Sequence, residues 1–138
     1  MPITVILTEG AIPTEKQSQV VKEITNSFLA HHKLVGNTVM TPNVTAQLHI
    51  KPMSETFAGG EPVSGAWIEI KVPSFALADR EIQKRFFADV TELVHKHSGG
   101  QLPKKHIWTN VLHTVDGTWN MDGIAKTNEE LGIAISEG

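Results

Sequence analysis

The chain has 138 residues, 40% of them hydrophobic and 20% charged, and this balance is typical of one folded domain. Its 12 basic and 15 acidic side chains give a net charge of −3, so no positive field favours nucleic acid or an anionic membrane as a partner. Cysteine is absent, which excludes disulfides, thiolate metal sites and cysteine nucleophiles.

The first ten residues do not have the basic, apolar and small-residue zones of a signal peptide. No apolar run approaches the roughly 20 residues that cross a bilayer, so we expect a soluble cytoplasmic protein. Ile3 to Thr8 alternates in side-chain character and is rich in β-branched residues, which predicts a strand. Thr14, followed three residues later by Gln17, is a capping-box signature and predicts a helix from there to about Ala30.

The rest of the first half is predicted to contain a loop, a strand and a tight turn. Glycine, asparagine and proline predict the loop over residues 34–43, and Val44 to Ile50 has the composition of a second strand. The paired glycines of Phe57-Ala58-Gly59-Gly60 predict a hairpin turn.

The second half repeats this order of elements. Residues 67–72 form a predicted strand that ends at Pro73, and a helix is predicted to begin near Asp79 and to end at residues 97–100. Residues 107–112 form a further predicted strand. A short polar segment from Lys126 onward is predicted to form a last helical turn.

The two halves align with each other. Ile24-Thr25 and Val90-Thr91 are 66 positions apart, and Thr56-Phe57 and Thr118-Trp119 are 62 positions apart. We interpret the chain as a single domain, residues 1–138, built from two βαβ repeats at about 2–62 and 66–124. Any two βαβ units share this element order, so chance similarity is the alternative explanation.

Two right-handed βαβ units predict an α+β fold with a four-stranded mixed sheet and both helices on one face. The opposite face of the sheet then has no cover within the chain. It is predicted to carry Thr4, Ile6, Trp67 and Glu69 or their neighbours. Because apolar side chains on such a face need a partner, we expect the protein to be an oligomer.

Met1-Pro2 is the feature with the clearest chemical potential. Methionine before proline is normally removed, which leaves Pro2 with a free secondary amine. An α-amino group has one of the lowest pKa values among protein amines, and an apolar pocket lowers that pKa further by desolvating the charged form. A neutral amine near pH 7 can act as a general base. Many proteins begin with Met-Pro without such a role, so the interpretation of Pro2 depends on the sequence around it.

That context resembles the tautomerase superfamily over nearly the whole chain. The first half, with PITVILTEG and ETFAGGEP, resembles a 4-oxalocrotonate tautomerase (4-OT) subunit. The second half, from GAWIEIKVP through KKHIW, resembles the longer fused members, particularly the cis-3-chloroacrylic acid dehalogenase group. The resemblance implies a trimer, a catalytic Pro2, and Phe57 as an apolar neighbour of that proline, although Phe57 is also compatible with plain core packing.

The polar positions of that family do not match. The first-loop arginine corresponds to Ala11, the histidine of the first helix to Phe28, and the tyrosine after Ile-Trp to Asn110. The arginine pair after the third strand falls in residues 72–75, which contain no cation. Asp122 lies one residue from the position of the water-activating glutamate. Without the cation pair that would hold and polarise a carboxylate substrate, dehalogenation is not expected.

Tautomerisation needs only a base and donors that stabilise an enolate oxygen. We therefore predict a cofactor-independent tautomerase or isomerase that acts on a small 2-oxo acid or its enol. The candidate substrate-binding residues are Phe57, Lys71, Arg80, His106, Asn110 and Asp122.

Two alternatives keep the predicted elements but change the function. One is a small-molecule-binding or signalling homologue of the same fold without catalysis, which the missing arginines favour. The other is a dimeric ferredoxin-like α/β barrel, which gives Pro2 no role. No metal site is predicted, because the seven histidines form no His-Glu-x-x-His or comparable set.

Overall fold

The computed structural model describes all 138 residues as one α+β unit. Four strands form the main sheet: β1 (Ile3–Thr8), β2 (Ala46–Lys51), β5 (Ala66–Pro73) and β6 (Ile107–Thr114). Two hairpins follow β2 and β6: β3 (Phe57–Ala58) with β4 (Glu61–Pro62), and β7 (Trp119–Met121) with β8 (Ile124–Lys126). The helices are α1 (Thr14–His31), α2 (Arg80–His97) and α3 (Asn128–Ser136), and none of them combines the length and apolarity of a membrane span.

The main sheet has the order β2-β1-β5-β6 and is mixed, as the two βαβ units predict. β1 and β2 are parallel, β5 and β6 are parallel, and the central pair β1–β5 is antiparallel. This pairing determines which strand ends lie next to each other. The start of β1 lies beside the end of β5, and the end of β1 lies beside the start of β5.

The core lies between one face of the sheet and the helices α1 and α2. Alternate strand residues point into it, and Ile3 and Ile70 are at most 1% exposed. Phe28 of α1 and Phe86 of α2 are fully buried and meet edge to face with their ring centroids 6.0 Å apart. Both helices therefore cover the same face of the sheet, as predicted.

The other face of the sheet, called the free face below, has no cover within the chain. It carries Thr4, Ile6, Trp67, Glu69, Trp108 and Asn110, all half-buried or exposed. Residues along each strand thus alternate between a packed face and an open face.

Several local predictions differ from the structure. The Thr14–Gln17 capping box does not form, because α1 begins after Pro13 without a side-chain cap and Gln17 donates instead to the Ile12 carbonyl. The β7–β8 hairpin was not predicted. The last helical turn is a nine-residue helix, which Thr127 caps.

Contacts between the two long helices repeat the sequence offset of 66. His31 of α1 pairs with Asp89 of α2 at 2.5 Å, and His97 of α2 pairs with Glu23 of α1. His97 is 66 positions after His31, and Asp89 is 66 positions after Glu23. The hydrogen bond with His97 lowers the pKa of the Glu23 carboxyl. The internal repeat stays a prediction, and this pairing is what it would produce.

Candidate active site

Pro2 lies opposite Lys71 at one end of the central strand pair. The antiparallel register pairs Ile3 with Ile70 and continues outward by one residue, and the Lys71 N–H donates to the Pro2 carbonyl at 3.0 Å. Because Ile3 and Ile70 face the core, alternation directs the side chains of Pro2 and Lys71 to the free face. The Lys71 ammonium group and Pro2 therefore lie on the same face of the sheet, at the same end.

A cavity of about 380 Å³, called the Pro2 cavity below, opens at this point. Pockets that bind small molecules commonly measure about 300–1,000 Å³. The walls come from the N-terminus, the loop before β2, the end of β5, and the segment from β6 to β7. The lining residues are Met1, Pro2, Asn43, Thr45, Lys71, Thr114, Thr118, Trp119 and Asn120.

Met1 is present in the described chain and shapes this cavity. Its side chain is 4% exposed and belongs to the core, and its α-amino group donates to the Asn43 carbonyl. Burial lowers the pKa of that amino group from 8.0 to about 6. With Met1 attached, the Pro2 nitrogen is an amide, and only removal of Met1 makes it basic.

Lys71 is the lysine of this cavity, and its side chain is 55% exposed. Its only ionic neighbour is Glu69, at 3.8 Å on the same face of the same strand. Such a half-exposed pair contributes little stability. The ammonium group is accordingly free to bind a carboxylate that enters the cavity.

The other predicted site residues lie elsewhere in the chain. Phe57 is 51% exposed beside Trp67, at the opposite end of the sheet. Arg80 and Asn110 line a separate cavity of about 450 Å³ between α2 and β6. His106 stacks on Trp108 with ring centroids 5.8 Å apart, and Asp122 lies in the β7–β8 turn with φ 54°. Within one chain, the structure brings only Lys71 of this set to Pro2.

The direction of the strands explains the position of Phe57. The first hairpin follows β2, which is parallel to β1, so it lies where β1 ends, whereas Pro2 lies where β1 begins. The second hairpin follows β6 and lies at the Pro2 end. Trp119 therefore occupies beside Pro2 the place expected for Phe57. The offset of 62 between Thr56-Phe57 and Thr118-Trp119 is the sequence signal that could have identified it.

Small polar groups of the Pro2 cavity were also missed. Thr45 and Asn120 offer a hydroxyl and an amide donor around the opening, whereas the hydroxyls of Thr114 and Thr118 already donate to the Val72 and Val115 carbonyls. Single threonines and asparagines carry no distinctive motif, so the sequence alone does not single them out. No group of three or more His, Asp or Glu side chains lies close enough to hold a metal ion.

Comparison with known sequences adds little, whereas comparison with known structures identifies the fold. No family model matches the sequence, and no curated protein matches it. A fused 4-OT symmetric trimer superimposes with a TM-score of 0.76 at 12% identity, over 96% of this chain and 99% of that one. Pt0534 inactivated by 2-oxo-3-pentynoate gives 0.75 at 16% identity, again over 96% and 99%.

A third similar structure is the FG41 malonate semialdehyde decarboxylase inhibited by 3-bromopropiolate. Its TM-score is 0.66 at 14% identity, over 88% of each chain. Identities this low report a shared fold. The chain has the fold of the fused 4-OT structures, as its sequence predicts.

Proposed function

We propose that this chain, which has the fold of the fused 4-OT structures, is a cofactor-independent tautomerase that uses Pro2 as its general base. The observation that carries the proposal is the pairing of Pro2 with Lys71 across β1 and β5 at the mouth of a 380 Å³ cavity. Once Met1 is removed, one wall of this cavity holds a secondary amine and a primary ammonium group. That combination suits a small 2-oxo acid or its enol.

Lys71, Pro2 and the polar donors of the cavity each have a separate role in the proposed reaction. The carboxylate of the substrate binds the Lys71 ammonium group, which orients the adjacent enol. The neutral Pro2 nitrogen takes the proton of the enol hydroxyl and leaves an enolate with its charge on oxygen. As the oxygen electron pair forms the C=O bond, the C=C electron pair takes the proton back from the Pro2 ammonium at carbon, which gives the keto acid. The Thr45 hydroxyl and the Asn120 amide, which both line the cavity, donate to the charged oxygen between the two transfers.

The base needs an environment that disfavours its charged form. Trp119 contributes an apolar wall to the cavity. Pro2 itself is exposed in the single chain. A partner that covers the free face would shield it further from water and lower the pKa of the Pro2 amine.

We propose a homotrimer as that partner arrangement. Fused 4-OT structures of this fold are trimers, symmetric in two cases and asymmetric in two others. The free face offers apolar surface around Trp108 for the contact, and an exposed apolar patch of this kind marks an interaction surface. Neither nucleic acid nor membrane is proposed as a partner, and the expected location is the cytoplasm.

The test is the ketonisation of phenylenolpyruvate by protein whose N-terminus is verified by mass spectrometry. Pro2→Ala keeps Met1 removable but replaces the fixed ring amine with a flexible primary amine, so we expect kcat/KM to fall at least about tenfold. Pro103→Ala is the matched control, because Pro103 is exposed and precedes β6 at the other end of the sheet. Equal rates in wild type and Pro2→Ala would reject the catalytic role and favour a binding homologue of the same fold.

The ferredoxin-like alternative is not supported by the strand order. In a split βαβ unit, another strand lies between the two parallel strands that the helix connects. Here β1 is the direct neighbour of β2, and β5 is the direct neighbour of β6. The dimeric barrel built from such units is therefore not proposed.

A further inference from the structure

A second cavity, called the Trp67 cavity below, lies at the end of the sheet opposite Pro2. Its volume is about 310 Å³, within the range of about 300–1,000 Å³ common for small-molecule pockets. The lining residues are Ile6, Lys51, Glu55, Thr56, Phe57 and Trp67. None of them lines the Pro2 cavity, so the two spaces are separate.

The internal offsets make this cavity the counterpart of the Pro2 cavity. Ile3 and Ile68 are equivalent core positions, 65 residues apart, and the same shift places Trp67 at the position of Pro2 and Lys71 at that of Ile6. The hairpin offset of 62 relates Phe57 to Trp119. The second cavity thus has the same architecture with different chemistry: an indole stands where the other cavity has its amine.

The aromatic wall of the Trp67 cavity is held rigidly. Trp67 stacks on Trp108 with ring centroids 5.0 Å apart and an interplanar angle of 22°. Gly65 allows this packing, because a Cβ atom there would lie 2.7 Å from the Trp108 ring and 2.9 Å from the Trp67 ring. At the base of the hairpin, buried Thr56 donates to the Val63 carbonyl at 2.6 Å. A wall fixed in this way loses little entropy on binding an apolar group.

The charges at this cavity are opposite and unpaired. Lys51 and Glu55 both line it, yet neither forms a salt bridge with the other or with any other residue. Neither side chain takes part in a hydrogen bond within the chain. The half-exposed Phe57 and the Trp67 ring lie with them around the same space. A ligand with only a negative charge would be repelled by Glu55, and a ligand with only a positive charge would be repelled by Lys51.

We infer that the Trp67 cavity binds the zwitterion of an apolar or aromatic α-amino acid. The carboxylate of the ligand pairs with Lys51, its ammonium group pairs with Glu55, and its side chain packs on Trp67 and Phe57. Such a ligand satisfies both charges and uses the aromatic wall, whereas a ligand with one charge leaves the other opposed. No catalysis is assigned to this cavity, because it contains no counterpart of the Pro2 amine.

The test is calorimetric titration of the processed full-length protein with L-phenylalanine and L-leucine. We expect saturable binding with one molecule per chain. Lys51→Gln and Glu55→Gln are each expected to weaken it at least about tenfold, since each removes one charge-assisted contact. The matched controls Lys105→Gln and Glu129→Gln change exposed charges outside the cavity and should leave binding unchanged. Thermal unfolding of each variant checks that the fold is retained.

Other outcomes would overturn the inference. Absence of binding by both amino acids at millimolar concentration would do so, as would binding that Lys51→Gln and Glu55→Gln leave unchanged. If phenylpyruvate bound as tightly as L-phenylalanine and Glu55→Gln had no effect, the cavity would be a plain carboxylate site. Pro2→Ala should not alter amino-acid binding, and loss of binding in that variant would place the ligand in the Pro2 cavity. Because Pro2→Ala removes the proposed base without touching Lys51 or Glu55, this result is independent of whether the tautomerase proposal holds.

Discussion

Replacing Lys71 tests how the Pro2 cavity holds its substrate. Lys71→Gln keeps a polar side chain of similar size and removes its charge. A hydrogen bond to a charged group contributes about 1.5–3 kcal/mol, which corresponds to a change in affinity of roughly 10–150-fold. Because the Lys71 side chain is 55% exposed, solvent screening places the expected effect at the lower end, about tenfold.

The kinetic parameter that changes is as informative as the size of the change. If Lys71 only holds the carboxylate, it binds substrate and transition state equally, so KM rises about tenfold and kcat is unchanged. Glu69→Gln provides the opposite perturbation, because it removes the carboxylate 3.8 Å from the Lys71 ammonium and should lower KM by about twofold.

The assay follows loss of the enol absorbance of phenylenolpyruvate over a range of concentrations. Lys105→Gln is the matched control, since Lys105 is exposed in the turn before β6, at the far end of the sheet from Pro2. A KM for Lys71→Gln within twofold of the KM for Lys105→Gln would refute the role of Lys71 in binding.

Three further predictions concern the N-terminus and the stability of the fold. Protein released from a fusion with Met1 in place should be at least about a hundredfold less active than processed protein, because its Pro2 nitrogen is an amide, and comparable rates would contradict this. His32 accepts a hydrogen bond from the Leu77 N–H at 3.1 Å, and burial lowers the pKa of its imidazole from 6.5. Folding therefore favours neutral His32. The resulting stabilisation is complete above pH 6.5 and is lost as the pH falls below that value. We expect His32→Gln to cost about 1–3 kcal/mol in urea unfolding at pH 8 and less at pH 5, whereas equal costs at both pH values would show that His32 protonation is not involved. Asp79→Ala removes the acceptor of two N–H groups at the start of α2 and should cost about 1 kcal/mol by the same measurement, with no loss of stability as the contrary result.

The main elements of the fold could be predicted because each has a strong periodic pattern. Ile3, Val5 and Leu7 alternate so regularly that the strand and its buried face are both evident, and Asp79 marks the start of α2 correctly. The β7–β8 hairpin was missed because its strands have only three residues each, too few for alternation to be recognised. The Thr14–Gln17 signature failed because Pro13 already supplies the extended residue that precedes the helix.

The candidate site was harder to predict because its residues meet through strand pairing. Pro2 and Lys71 are adjacent only if β1 and β5 pair antiparallel in one particular register, and the sequence pattern does not specify that register. Lys71 was therefore one candidate among several, equal in sequence to Arg80 and His106. The same pairing explains why Phe57 lies at the other end of the sheet, where the chain turns after β2.

The charge state of Pro2 is the central quantity in this account. In processed protein at the concentration used for catalysis, ¹⁵N NMR of the labelled Pro2 nitrogen against pH measures it directly. A general base must be largely neutral near pH 7, so we expect a Pro2 pKa below the ordinary α-amino value of about 8, matching the rising limb of kcat/KM against pH. A Pro2 pKa at or above about 8 would mean that the amine is cationic at neutral pH and would contradict its role as the base.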